Sequence, residues 1–190
     1  MNLVLAEQRI TETGHKCFDQ IDPSNQYIRS YPFLLRATEL LYEKMEEDAT
    51  VVISHIAYGW MPTILKNFDF STHKSGNFKN ARNISSFDDA EKMISEFKYS
   101  PINKSWVGLS KVLHFINPQF FPIWDSKVAK HFEVSGAFQM RKRQNYIDYI
   151  SFIQSQLERE TVTQVQQEFT KRANYQISRV RACEFILFSI

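Results

Sequence analysis

The 190-residue sequence predicts an all-α, multi-helix globular domain. Three observations carry that expectation. Only 5 glycines and 6 prolines are present, too few to punctuate the many turns of an all-β sandwich. From Pro32 onward the apolar residues recur at the three- and four-residue steps of a helical face. The last stretch, 177–188, is apolar nearly all round, as expected of a helix buried in a core.

The bulk properties set the frame. With 43% hydrophobic residues, 16 phenylalanines among them, and 23% charged residues, the chain can fill a core and still present an ordinary polar surface. Its length fits a single helical domain over 1–190, or two small lobes sharing a core with a cleft between them. Cys17 and Cys183 are too few for a disulfide framework, and no charged-then-apolar signal opens the chain. No apolar run approaches the roughly 20 residues of a membrane span. A cytoplasmic monomer is the expectation. A formal charge of +2 permits a local basic patch without arguing for one.

In order along the chain, residues 1–30 are mixed and polar, with Asp22-Pro23-Ser24-Asn25 a turn, and read as an arm or a first helix. Leu34, Leu35, Ala37, Thr38, Leu41, Tyr42 and Met45 form one helical face beginning near Pro32. Asp48 and Thr50 signal a new start, and 51–58 continues as a short apolar helix ending near Gly59, with a strand as the alternative at Val51-Val52-Ile53. Pro62 suits the first turn of a further helix. Residues 71–86, with Lys74, Lys79 and Arg82, read as a basic loop.

Ser86, Asp88 and Asp89 head the next helix, with its apolar positions at Ala90, Met93, Ile94 and Phe97. After the break at Ser100-Pro101 a helix runs over about 105–116, stopped by Asn117-Pro118, and another starts at Asp125. The run Arg141-Lys142-Arg143 introduces a helix marked by Tyr146, Tyr149, Ile150, Ile153 and Leu157. By default that run is a solvated helix start, with phosphate contact as its functional alternative. Residues 163–173 supply one more helix.

The segment NKSWVGLSKVLHFINPQFFPIWDSKVAKHF, residues 103–132, resembles the central stretch of the helix-hairpin-helix DNA glycosylase superfamily. There a hairpin and a helix lead through a short apolar connection to a catalytic aspartate. FPIWDSKVAK is closest to the adenine glycosylase branch, in which a phenylalanine-proline-isoleucine run precedes that aspartate. The resemblance implies Asp125 as the essential carboxylate. It departs from the family in two places. The family's glycine-any-glycine hairpin reads Lys104-Ser105-Trp106 here, with Gly108 too late to replace it. Where strand-cleaving relatives carry a lysine nucleophile this chain has Val107, with Lys104 and Lys111 out of register. The resemblance therefore implies a monofunctional enzyme that uses water. With only two cysteines the chain lacks the iron–sulfur cysteine cluster of some relatives, and no cofactor is expected.

The chemistry is consistent with these residue types. Breaking an N-glycosidic bond builds positive charge on the sugar, which one fixed carboxylate stabilises, or the carboxylate takes a proton from attacking water. The nucleotide must first leave the stack and be held by aromatic faces. His55, Tyr58 and Trp60 around Gly59 are the expected wall of a base pocket, and Lys104, Ser105, Lys111 and Lys127 the expected DNA contacts. No histidine pair has the spacing of a zinc site, so no metal is expected. For each aromatic residue taken singly the core reading wins, and Asp125 is also a favoured helix cap, a role that can coexist with catalysis. The partner expected is duplex DNA with one flipped nucleotide, in base-excision repair or in defence against phage DNA. The rival reading is a non-catalytic DNA-binding module on the same scaffold, and a helical protein-interaction domain ranks last.

Overall fold

The structure is a computed structural model that describes residues 1–45, 48–61, 64–70 and 77–190, the side chains of Asn77 and Lys79 excepted. The helix start expected at Pro62 and the basic Lys74 lie outside the described residues, as does the side chain of Lys79. Among the described residues the chain is all-α. Its sole extended pairing is an isolated antiparallel bridge between Phe68 and Ile102.

The helices run Leu3–Thr13, Gln26–Met45, Ala49–Trp60, Asn77–Ala81, Phe87–Glu96, Trp106–Ile116, Ser126–Lys130, Gly136–Met140, Arg143–Gln156, Glu160–Ala173 and Arg179–Ser189, with a 3-10 helix at Gly14–Gln20. Several starts follow from local chemistry. Ser86 Oγ accepts the Asp89 amide at 3.2 Å and caps Phe87–Glu96, whose first turn carries Asp88 and Asp89 against the helix dipole. Asp22 Oδ1 accepts the Ser24 amide at 2.8 Å, which fixes the turn at Pro23.

Two elements differ from the sequence reading, each for a tertiary reason, and the structure decides a third that the sequence left open. The helix expected from Pro32 begins six residues earlier, at Gln26, with Pro32 inside it. Proline has no N–H to give the carbonyl four residues back. That carbonyl, of Ile28, instead accepts the Tyr175 hydroxyl at 2.7 Å. Of the two forms expected for the first residues, an arm or a first helix, the structure has the helix: Leu3–Thr13 buries Ala6 and Ile10 and packs on Arg179–Ser189. Part of the expected basic loop is the short helix Asn77–Ala81. Phe78 is fully buried with its ring 5.5 Å from that of Phe97, and Asn117 Nδ2 donates to the carbonyls of Ala81 at 3.0 Å and Ile84 at 2.9 Å.

Packing divides the helices into two neighbouring groups. Ala49–Trp60 lies against both Gln26–Met45 and Trp106–Ile116, while Arg179–Ser189 lies against Leu3–Thr13, Glu160–Ala173 and the 3-10 helix. Arg143–Gln156 touches Phe87–Glu96, Trp106–Ile116 and Arg179–Ser189, joining the groups. Cys17 and Cys183 are both buried as free thiols, and burial raises both thiol pKa values. Among the described residues no helix is long and apolar enough to cross a membrane.

Candidate functional site

Between the Trp106–Ile116 and Ser126–Lys130 helices the chain crosses the interior as FFPIW, residues 120–124, buried at every position and outside any helix, with no strand beside it among the described residues. Buried backbone polar groups need partners, and a sheet ladder would ordinarily supply them. Here side chains from flanking helices do so. The Phe120 carbonyl accepts Gln154 Nε2 at 3.1 Å, the Phe121 carbonyl accepts His114 Nδ1 at 2.7 Å, and the Pro122 carbonyl accepts the Tyr146 hydroxyl at 3.3 Å. The Ile123 amide donates to Glu184 Oε2 at 3.0 Å and the Trp124 amide to Ser110 Oγ at 2.9 Å. Five consecutive residues are thus pinned by five side chains, which fixes where the next residue begins.

That residue is Asp125. Its Oδ1 accepts the Lys127 amide at 2.8 Å and the Val128 amide at 3.0 Å, capping Ser126–Lys130. Neither bond uses Oδ2. Asp125 is half-buried and lines a cleft of about 430 Å³, a volume within the range of small-ligand sites. Its aromatic lining includes Tyr27, Tyr31, Trp60, Tyr175 and Phe188. Trp60 is held by its indole N–H, which donates to Ser30 Oγ at 3.0 Å, and its ring stands 5.8 Å from that of Tyr31.

Charge surrounds the same space. Lys111, Lys127 and Arg181 line the cleft together with two carboxylates, Asp125 and Glu184. Arg181 pairs with Glu184 and lies over the rings of Tyr31, at 5.2 Å, and Trp60, at 5.8 Å. Burial pushes Glu184 up to about 7 even though Arg181 and the Ile123 amide favour its charged form. The neutral His114 ring gives its Nδ1–H to the Phe121 carbonyl at 2.7 Å, which leaves Nε2 to accept the Tyr31 hydroxyl at 2.8 Å. Burial, with Arg181 nearby, holds its pKa down to about 3.

The expected residues divide cleanly. Asp125, Trp60, Lys111 and Lys127 meet in the cleft. Tyr58 does not line it: it is buried behind Lys111, whose Nζ stands 5.8 Å from the Tyr58 ring centroid. His55 is exposed on the Ala49–Trp60 helix and is not part of the cleft wall. Lys104 and Ser105 sit in the turn before Trp106–Ile116, outside the cleft lining. Lys127 is exposed at the rim, with Nζ 4.3 Å from the Phe188 ring centroid.

The turn itself makes its bend without glycine. Asn103 and Lys104 both have φ of 50°, a conformation that asparagine adopts more readily than most residues. Asn103 Oδ1 accepts the amides of Lys66 and Asn67 at 2.7 and 2.8 Å, fastening the turn to the preceding loop. Gly108 serves a different need: a Cβ there would stand 2.1 Å from the Tyr58 hydroxyl and 3.1 Å from the Ile102 carbonyl oxygen. It lets helix and turn approach. Of the cationic run, Arg143 is occupied structurally, donating to the carbonyls of Ser95 at 3.0 Å and Phe97 at 2.9 Å. Arg82 is 3.6 Å from Glu39.

Sequence reasoning missed Tyr31, Tyr175, Arg181 and Glu184. The signal for the last two was available: an arginine and a glutamate three residues apart inside an otherwise apolar helix are a pair that burial would force together. Among the described residues no group of three His, Cys, Asp or Glu side chains could hold a metal ion. Comparison of the chain with family models, curated proteins and solved structures returned no match.

Proposed function

We propose that this protein hydrolyses the N-glycosidic bond of a nucleotide swung out of duplex DNA. In this reading Asp125 is the essential carboxylate and water the nucleophile. The observation that carries it is Asp125 in the wall of an aromatic-lined cleft of about 430 Å³, its Oδ1 fixed by two backbone amides and its Oδ2 without a hydrogen bond among the described residues. A carboxylate whose position is set before the substrate arrives stabilises a developing sugar cation without reorganising. Trp60 and Tyr31 supply faces for a base. Lys127 at the rim and Lys104 in the turn are placed in the proposal as phosphate contacts. The substrates would be damaged bases in repair or modified bases in invading DNA.

The deciding experiment incubates wild-type protein and Asp125→Asn with duplexes carrying a range of damaged and phage-type bases, then reveals abasic sites with alkali. Asparagine caps a helix about as well as aspartate, so this variant keeps the fold and removes the charge. Wild-type cleavage lost in Asp125→Asn supports the proposal, and equal cleavage by both proteins refutes the role of Asp125. The second reading, a non-catalytic DNA-binding module, is favoured by the two amide bonds to Asp125 Oδ1, which a pure cap would also make. It predicts DNA binding with no base release by either protein.

A further inference from the structure

Lys111 stands in the cleft without a counter-charge. It is only 7% exposed, yet it lines the cleft together with Asp125. Among the described residues it makes no hydrogen bond and no ion pair. Its Nζ lies 5.8 Å from the Tyr58 ring centroid, which offsets part of the cost of leaving water. A lysine in a folded chain is normally solvated or paired, because an ammonium taken from water without a partner is costly. Lys111 is neither. The carboxylates that share the cleft are engaged elsewhere: Glu184 with Arg181 and the Ile123 amide, and Asp125 through Oδ1 with the amides of Lys127 and Val128. Three cations, Lys111, Lys127 and Arg181, line the cleft with these two carboxylates, so the lining carries one positive charge in excess when both are ionised.

We propose that the cleft binds a planar ring carrying a carboxylate, with the carboxylate paired to Lys111 Nζ and the ring against the aromatic lining. The inference rests on the cleft alone and needs no base excision. The ring follows from Tyr31, Trp60 and Tyr175, which offer flat apolar surface in a space of about 430 Å³. The acid follows from charge. A carboxylate supplies the single negative charge that Lys111 lacks, whereas a phosphate dianion would set a second one near Asp125 and Glu184, where like charges repel in a medium poorer than water. Desolvation lowers the pKa of Lys111 and the negative charge of Asp125 opposes it; a bound carboxylate acts in the same sense as Asp125 and keeps the amine protonated. A free aromatic acid and a nucleobase bearing a carboxyl group present the same chemistry to this site.

The test measures binding to the whole protein at neutral pH by isothermal titration calorimetry, using pairs that differ in charge and hardly in shape: benzoate and benzamide, indole-3-carboxylate and indole-3-carboxamide, uracil-5-carboxylate and uracil-5-carboxamide. In at least one pair the acid should bind the wild type about tenfold or more tighter than its amide, the worth of one charge-assisted hydrogen bond. Lys111→Met should remove that preference and still bind the amide, while Lys111→Arg and Lys130→Met, the latter at an exposed lysine outside the cleft, should keep it. The wild-type ratio depends on the folding of no variant. No preference for any of the acids, or a preference that survives in Lys111→Met, overturns the inference. Duplexes carrying uracil-5-carboxylate or its amide separate the two sources: preferential release of the acid form assigns the site to a flipped base, and a preference confined to the free acids assigns it to a free small molecule. Base release from other duplexes with no acid preference in any pair sinks this inference alone, and acid binding without base release on any substrate sinks the excision reading alone.

Discussion

Pro32 and Tyr175 are coupled through one carbonyl, and the size of that coupling can be worked from the structure. Because Pro32 has no N–H, the Ile28 carbonyl depends on the Tyr175 hydroxyl, 2.7 Å away. Removing the hydroxyl with Tyr175→Phe leaves that partly buried acceptor without its donor, which costs about 1–2 kcal/mol. In a Pro32→Ala background the helix supplies its own N–H to the same oxygen, so losing the hydroxyl there should cost about 0.5 kcal/mol or less. The coupling is the difference, about 1 kcal/mol. Urea denaturation followed by far-ultraviolet circular dichroism on the four proteins measures it. For a chain of this size 1 kcal/mol also shifts Tm by about 2–4 °C. Equal costs in the two backgrounds would refute the reasoning, since the hydroxyl would then not be replacing the missing amide.

The other predictions concern the cleft and its supports. Asp125→Asn should reduce base release by at least about 100-fold with little change in thermal midpoint, and Asp125→Ala should add a stability loss of about 1 kcal/mol by removing the cap. Gly108→Ala should destabilise by about 1–3 kcal/mol through overpacking, and Tyr58→Phe in the same chain should restore part of it, since the nearest obstruction is the Tyr58 hydroxyl. In pH-dependent unfolding Glu184 and His114 oppose each other. The raised Glu184 value gives stability that is full below 4.5 and lost as pH rises through about 7, whereas the depressed His114 value gives stability present above 6.5 and lost as pH falls toward about 3. Between 4.5 and 6.5 they partly cancel, so Glu184→Gln should lose stability more steeply on acidification than the wild type. If Lys104 and Lys127 touch phosphates, replacing each with Gln should reduce the slope of log affinity against log salt by about 0.9, measured by fluorescence anisotropy with a labelled duplex.

The sequence alone determined the all-α class, most helix starts and the place of Asp125 as a helix cap, because these depend on neighbours in the chain. Capping at Ser86 and Asp125, the three- and four-residue recurrence of apolar positions and the shortage of glycine all act over one or two turns. Only the tertiary structure decided which aromatic residues share the cleft. Tyr58 and Trp60 are two residues apart, which turns them to different sides of one helix, so Trp60 joins the cleft and Tyr58 goes behind Lys111. Tyr31 comes from the Gln26–Met45 helix, and Tyr175, Arg181 and Glu184 from the far end of the chain. What gathers them is the need to satisfy buried polar groups: Glu184 meets the Ile123 amide, Tyr175 the carbonyl that Pro32 leaves open, and Tyr31 the ring of His114. Such debts of hydrogen bonding exist only once the helices have packed, so no local pattern announces who will settle them.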